Sequence, residues 1–158
     1  MSTEIKKILV AIALVPEYSF CQQHLSYAGY LADKTGADLS VLSVINQRDI
    51  DATALYARLV GSQSLGLEEF KNMEIERRKK CIEEIIEQAG LGQVNKDVLI
   101  TIGNPYSEIM KTIEEKGIDL VVIGTRGASK YDKYTVMTGA VAEKVFKHSP
   151  VPVLSIRN

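Results

Sequence analysis

The run Lys7-Ile8-Leu9-Val10-Ala11-Ile12-Ala13-Leu14 is apolar at odd and even positions alike and rich in branched side chains. A strand sends successive side chains to opposite faces, so this one has to be covered on both. A parallel sheet between two helical layers does that, and the run reads as its central strand. The following segment has Leu25, Ala28, Gly29, Leu31 and Ala32 at helical spacing, with Ser19 placed to cap it and Gly36 to end it. Residues 37–45 supply a second apolar strand. Strand, helix, strand in that order calls for a right-handed crossover between parallel neighbours. The fold class is α/β.

The rest of the chain repeats the alternation. Ala52, Leu55, Tyr56, Leu59 and Val60 have helical spacing between loop-like flanks, which predicts a short helix with a mobile excursion over residues 46–66. Residues 67–88 form a long amphipathic pattern that Gly90 stops, and residues 98–102 a third strand. Pro105 stands at the favoured first-turn position of a helix ending at Gly117. A fourth strand at 119–124, a polar loop at 125–134, a helix at about 138–148 and a fifth strand at 150–156 complete the series. Pro150 and Pro152 put that last strand at an edge or beside a partner.

With 158 residues, 46% of them hydrophobic, the chain has material for one domain over 1–158 with a sizeable core. Nineteen basic against twenty acidic residues leave a net charge of −1, so no general attraction to nucleic acid or to an anionic membrane is expected. Cys21 and Cys81 are far apart and form no CxxC pair, which suits a reducing cytoplasm and suggests neither a disulfide framework nor a zinc cluster. The apolar stretch after the polar residues 1–7 is too brief to span a bilayer, and no export signal or anchor is expected.

Phosphate-loop, dinucleotide, nucleophile-elbow and zinc-protease signatures are all absent from the sequence. His24 and His148 fall on different helices with no carboxylate at a suggestive spacing, and read as surface or half-buried structural histidines. In the basic run Arg77-Arg78-Lys79-Lys80, Glu74 and Glu76 precede by one helical turn and Glu83 and Glu84 follow by another. That pattern predicts a solvated helix face.

Gly124-Thr125-Arg126-Gly127, eleven further residues, then Gly139-Ala140-Val141 are the informative residues. Glycines at the carboxyl end of a parallel strand and at the start of the next helix let backbone amides approach an anion, helped by the helix dipole. Arg126, Lys130 and Lys133 add positive charge. The alternative is that Gly124 and Gly127 only turn the chain and Gly139 only permits close packing.

Over nearly its whole length the chain resembles the universal stress protein family. The resemblance is carried by Lys7-Ile8-Leu9-Val10-Ala11, Leu25-Ser26-Tyr27-Ala28, Gly36-Ala37-Asp38-Leu39, Gly103-Asn104-Pro105, Asp119-Leu120-Val121-Val122-Ile123-Gly124 and the stretch from Val141-Ala142-Glu143-Lys144-Val145 to Pro150-Val151-Pro152-Val153-Leu154. It implies a five-stranded parallel sheet of order 3-2-1-4-5 with helices on both faces, the three-layer architecture of adenine-nucleotide α-hydrolase-like proteins. It also implies a cytoplasmic homodimer through the last strand (Val151, Val153, Ser155) and an ATP or AMP site at the carboxyl ends of the first and fourth strands. No metal is implied beyond the Mg²⁺ that accompanies a nucleotide.

Binding members of the family carry G-x2-G-x9-G-[ST]. Here Gly124, Gly127 and Gly139 match, but the second spacer has eleven residues and Ala140 replaces the Ser or Thr. Ala13 stands where binding members usually have Asp. On the resemblance, Gly124, Gly127, Gly139 and Ala140 would offer amides to phosphate, Val141 would close the helix start, Arg126 would add charge, and Val44, Ala11 and Ala13 would line the nucleoside end. The expected function is regulatory binding, with ATP hydrolysis at most slow and incidental. The alternative is a dimeric interaction module of the same family that binds no nucleotide.

Overall fold

The computed structural model describes residues 3–12, 23–61, 66–125 and 138–157. In chain order the elements are β1 (Lys7–Ala11), α1 (Gln23–Thr35), β2 (Asp38–Asn46), α2 (Gln47–Leu59), α3 (Leu67–Gln88), β3 (Lys96–Gly103), α4 (Pro105–Lys116), β4 (Leu120–Thr125), α5 (Thr138–His148) and β5 (Val153–Arg157). The strands form one sheet of order β3-β2-β1-β4-β5, and every neighbouring pair is parallel. This is the predicted α/β architecture and strand order.

Alternation of side chains in the central strands separates two cores. Ile8, Val10, Val41 and Val122 face one way and pack with Leu25 and Ala28 of α1 and Ile82 and Ile86 of α3. Leu9, Leu42, Val121 and Ile123 face the other way and pack with Ile109 and Ile113 of α4 and Ala142 and Val145 of α5. Both faces of β1 are therefore dry, which is why its sequence shows no polar alternation.

Helix ends follow local chemistry. Asn104 caps α4 by accepting from the Ser107 amide at 3.1 Å, Pro105 occupies the first turn, and Gly117 ends the helix in the left-handed region at φ +62°. Three boundaries differ from expectation. The first strand ends at Ala11, with the Ile12 amide still donating to Leu42 O at 2.8 Å. The segment after Asn46 is a full helix of 13 residues, because Asn46 Oδ1 accepts from the Arg48 amide and Gln47 donates to Asp51 one turn on. The fifth strand begins at Val153, after both prolines, since neither Pro150 nor Pro152 has an N–H to give to a ladder. Pro152 still accepts from the Val121 amide at 3.0 Å, and β5 lies at the sheet edge, as the prolines suggested. The expected cap Ser19 lies outside the described residues.

At the amino end of the sheet, Asp97 on β3 accepts from Ser40 Oγ and from Lys116 Nζ, each at 2.7 Å. Burial pushes the Asp97 carboxyl up, but the bonds from Lys116 and Ser40 together outweigh it and hold the group below its ordinary value. The unfolded chain then binds the extra proton first, so this contribution is intact above the ordinary aspartate range and is lost as pH falls through the lower folded-state value. Asp97→Asn is expected to flatten the acid limb of a stability-versus-pH curve measured by urea unfolding. A limb of unchanged steepness would refute the assignment.

Candidate functional site

The chain builds β1, β2 and β3 outward to one side, then returns to place β4 on the other side of β1. β1 is followed in the chain by β2 on one side and β4 by β5 on the other, the reversal of strand order at which such folds place a crevice at the carboxyl ends of the strands. The register shapes it. Ala11 lies level with Leu42 on β2 and Ile123 on β4. There β1 ends, while β2 runs on to Asn46 and β4 to Thr125. Among the described residues the ladder of the central strand stops short of those of its neighbours, and this step in the sheet is the candidate notch.

Ala11, Val44 and Val141 are partly buried and pack against the same α4- and α5-side core, so the structure brings these three sequence candidates to one side of the notch. Gly124 is the residue after Ile123 on β4, at the rim. Gly139 and Ala140 lie in the first turn of α5, where amide N–H groups have no partner within the helix. Ala13, Arg126 and Gly127 lie outside the described residues, as do Lys130 and Lys133.

Two residues at this end of the sheet differ from the sequence reading. Arg78 was expected on a solvated face, and its neighbours Arg77, Lys79 and Lys80 are exposed, yet Arg78 itself is only 9% exposed. Its Nη1 donates to Ser43 Oγ at 3.0 Å and to Val44 O at 3.1 Å, and its Nε donates to Glu74 Oε1 at 3.0 Å. The guanidinium thus ties α3 to the β2 peptide that flanks the notch. Hydrogen bonding from Arg77, with help from Arg78, holds the Glu74 carboxyl below its usual value despite partial burial. The missed signal was spacing: Arg78 falls on the inward stripe that Ile82 and Ile86 continue.

His24, read as a surface or half-buried residue, is buried at 4% exposure. Its Nε2 donates to Ala11 O at 3.1 Å, which fastens α1 to the end of β1. Across from Val44, Thr101 on β3 has a buried hydroxyl with no hydrogen-bond partner among the described residues. His148 is exposed and forms a T-shaped ring contact with Tyr106 at 6.2 Å between centroids.

A model of the universal stress protein family matches residues 4–157. The chain belongs to the universal stress protein family. Universal stress protein MJ0577 of Methanocaldococcus jannaschii is 30% identical over 166 residues, covering 99% of this chain and 98% of its own length. The solved MJ0577 structure superposes with a TM-score of 0.72 at 24% identity, over 98% of this chain and 96% of that one. A universal stress protein solved in complex with cAMP superposes with a TM-score of 0.62 at 16% identity, covering 98% of both chains. The universal stress protein of Archaeoglobus fulgidus in complex with dAMP gives 0.63 at 17%, over 96% of this chain and 98% of that one. At those identities the likeness is one of fold. Among the described residues, no helix of this family member is long and apolar enough to cross a membrane.

Proposed function

We propose that this universal stress protein acts by binding an adenine nucleotide, ATP or AMP, in the notch at the carboxyl ends of β1 and β4. The observation that carries the proposal is the end of the β1 ladder at Ala11, at the point where the strand order reverses, with the first turn of α5 following β4 in the chain. Phosphate sits on the amides of Gly124, Gly127, Gly139 and Ala140, next to the positive end of the α5 dipole. Val141 closes the helix start, Arg126 adds charge, and Ala11, Ala13 and Val44 line the nucleoside end. Family structures solved with cAMP and dAMP support the ligand class. Magnesium enters only with the nucleotide. In this reading the role is regulatory binding, with any hydrolysis slow and incidental.

Pairing of two copies through β5 completes the proposal. No strand lies beyond β5 among the described residues, and Val153 and Ser155 stand on this edge with Val151 just before it. Tyr27 and Tyr30 of α1 and Phe146 of α5 are exposed on the two helices that cover β4 and β5. The second reading, an interaction module without nucleotide, is favoured by Ala13 and Ala140, each of which withdraws a polar side chain from the site.

Equilibrium titration of nucleotide-stripped protein with ATP, AMP and cAMP decides between them. Saturable binding is expected, and Gly127→Asp, which puts a carboxylate where phosphate sits, is expected to weaken ATP by about a hundredfold or more. The absence of saturable binding at millimolar ligand, or an unchanged affinity in Gly127→Asp, favours the interaction module.

A further inference from the structure

Arg78 reaches the notch from the α3 layer. Leu42 O accepts from the Ile12 amide at 2.8 Å, so it points toward β1. Carbonyl directions alternate along a strand, so Val44 O, two residues on, points the same way. Level with Val44 the β1 ladder has already ended, because its last residue, Ala11, pairs with Leu42. Among the described residues the donor to Val44 O is no strand amide but Arg78 Nη1, at 3.1 Å. The guanidinium therefore stands on the side of β2 that faces the notch.

That guanidinium is held in place but not used up. Its Nε donates to Glu74 Oε1, and Nη1 donates to both Ser43 Oγ and Val44 O. Nη2 donates to no described residue, although Arg78 as a whole is only 9% exposed. An idle charged donor at that depth is costly to keep. Nor is it sealed in, since the one fully buried side-chain polar atom without a partner among the described residues is Thr101 Oγ1. Nη2 is thus open, and its orientation is fixed before any ligand arrives.

We infer that Arg78 is a base-reading residue of the nucleotide site, with Nη2 donating to a ring nitrogen of the adenine. The inference rests on the nucleotide reading above and adds to it a side chain from α3. A guanidinium can only donate, and the ring nitrogens of adenine can only accept. Strand order decides which part of the ligand it meets: β2 and β4 lie on opposite sides of β1, so Arg78 stands by Val44 at the nucleoside end, while the phosphate amides belong to β4 and α5. Glu74, bonded to the same guanidinium, offsets its charge at a distance. Arg78 therefore acts as a short-range donor with a direction and not as a general attractor of polyphosphate.

Calorimetric titration of wild type and Arg78→Met tests it, with ATP, with the deaza analogues of ATP in which C–H replaces one ring nitrogen of the adenine, and with inorganic tripolyphosphate. One analogue is expected to bind wild type at least tenfold more weakly than ATP does. Arg78→Met should bring ATP down to that same affinity and leave the analogue within about threefold of its wild-type value, because the analogue has no contact to lose. Tripolyphosphate, which never meets the base, should bind both proteins alike. A role confined to holding Val44 in place would weaken ATP and every analogue together in Arg78→Met, and that result overturns the inference. So does a deaza series that binds wild type as ATP does. Circular dichroism checks that the methionine variant is folded. If it is not, Arg78→Lys carries the test, since it keeps a charge but cannot span the same acceptors, and the gap between ATP and the analogue must then shrink. Failure of both ATP and tripolyphosphate to bind wild type overturns the nucleotide reading as well, whereas ATP binding with no analogue gap removes only the contact from Arg78.

Discussion

Replacing Arg78 with alanine is expected to destabilise the fold by about 3 kcal/mol, and so to lower the melting temperature by roughly 6–12 °C for a domain of this size. Ser43 is fully buried and its hydroxyl bonds to Arg78 Nη1, while the Val44 carbonyl takes the second bond from the same nitrogen. Alanine strands both groups, and a desolvated polar group without a partner costs about 1–3 kcal/mol. The Glu74 side chain is 20% exposed and keeps its bonds to Arg77, so the ion pair itself contributes the smaller share. Arg78→Met retains much of the packing of the stem and separates its share from that of the head group. Lysine brings one ammonium where a planar fork spans three acceptors, and should recover only part of the loss. Urea unfolding measures all three, and an alanine variant within about 0.5 kcal/mol of wild type would show that the network is ornamental. At temperatures where Arg78→Ala stays folded, the loosened Val44 peptide should also weaken nucleotide binding.

The same residue shows where sequence reasoning stops. Strands buried on both faces are conspicuous because nothing polar interrupts them, which is why β1, β2 and β4 could be read beforehand; their order came from the family resemblance. Helix stops at Gly36, Gly90 and Gly117 were equally plain, since each adopts a positive φ that other residues resist. Arg78 was hidden by its neighbours. Averaged with Arg77, Lys79 and Lys80 it is one more surface charge, and only its phase against Ile82 and Ile86 separates it from them. His24 was hidden for a related reason: its partner is a main-chain carbonyl at the end of β1, and no pattern of side chains reports that. Helix α2 is the opposite case. Its stripe was seen, but an apolar stripe normally signals an inward face, and here the body is anchored through Ile50 on the other side. The glycines stood out as candidates because they fall at a strand end and a helix start, where backbone can approach an anion, whereas Ala11, Val44 and Val141 came from the family resemblance, and the structure packs those three against one core.

That space is where the second large effect is expected: Ala13→Asp should raise affinity for ATP by roughly 10- to 100-fold. A carboxylate near the end of β1 accepts hydrogen bonds from the nucleoside, and a bond of that charged kind contributes about 1.5–3 kcal/mol, with 1.4 kcal/mol for each factor of ten. The gain has a signature that a general change in stability or charge lacks. Inorganic tripolyphosphate engages only the phosphate cradle, so its affinity should stay level or fall slightly under the added negative charge, while that of ATP rises. Ala140→Ser supplies a neutral donor at the phosphate end, about 1 kcal/mol, and should help both ligands by severalfold. The two substitutions act at opposite ends of the ligand, so for ATP their effects should add. If Ala13→Asp leaves ATP unchanged, or lowers ATP and tripolyphosphate in parallel, the nucleoside does not lie against the end of β1. The notch would then be better read as a feature of the scaffold, and function would have to be sought on the helices and the strand edge.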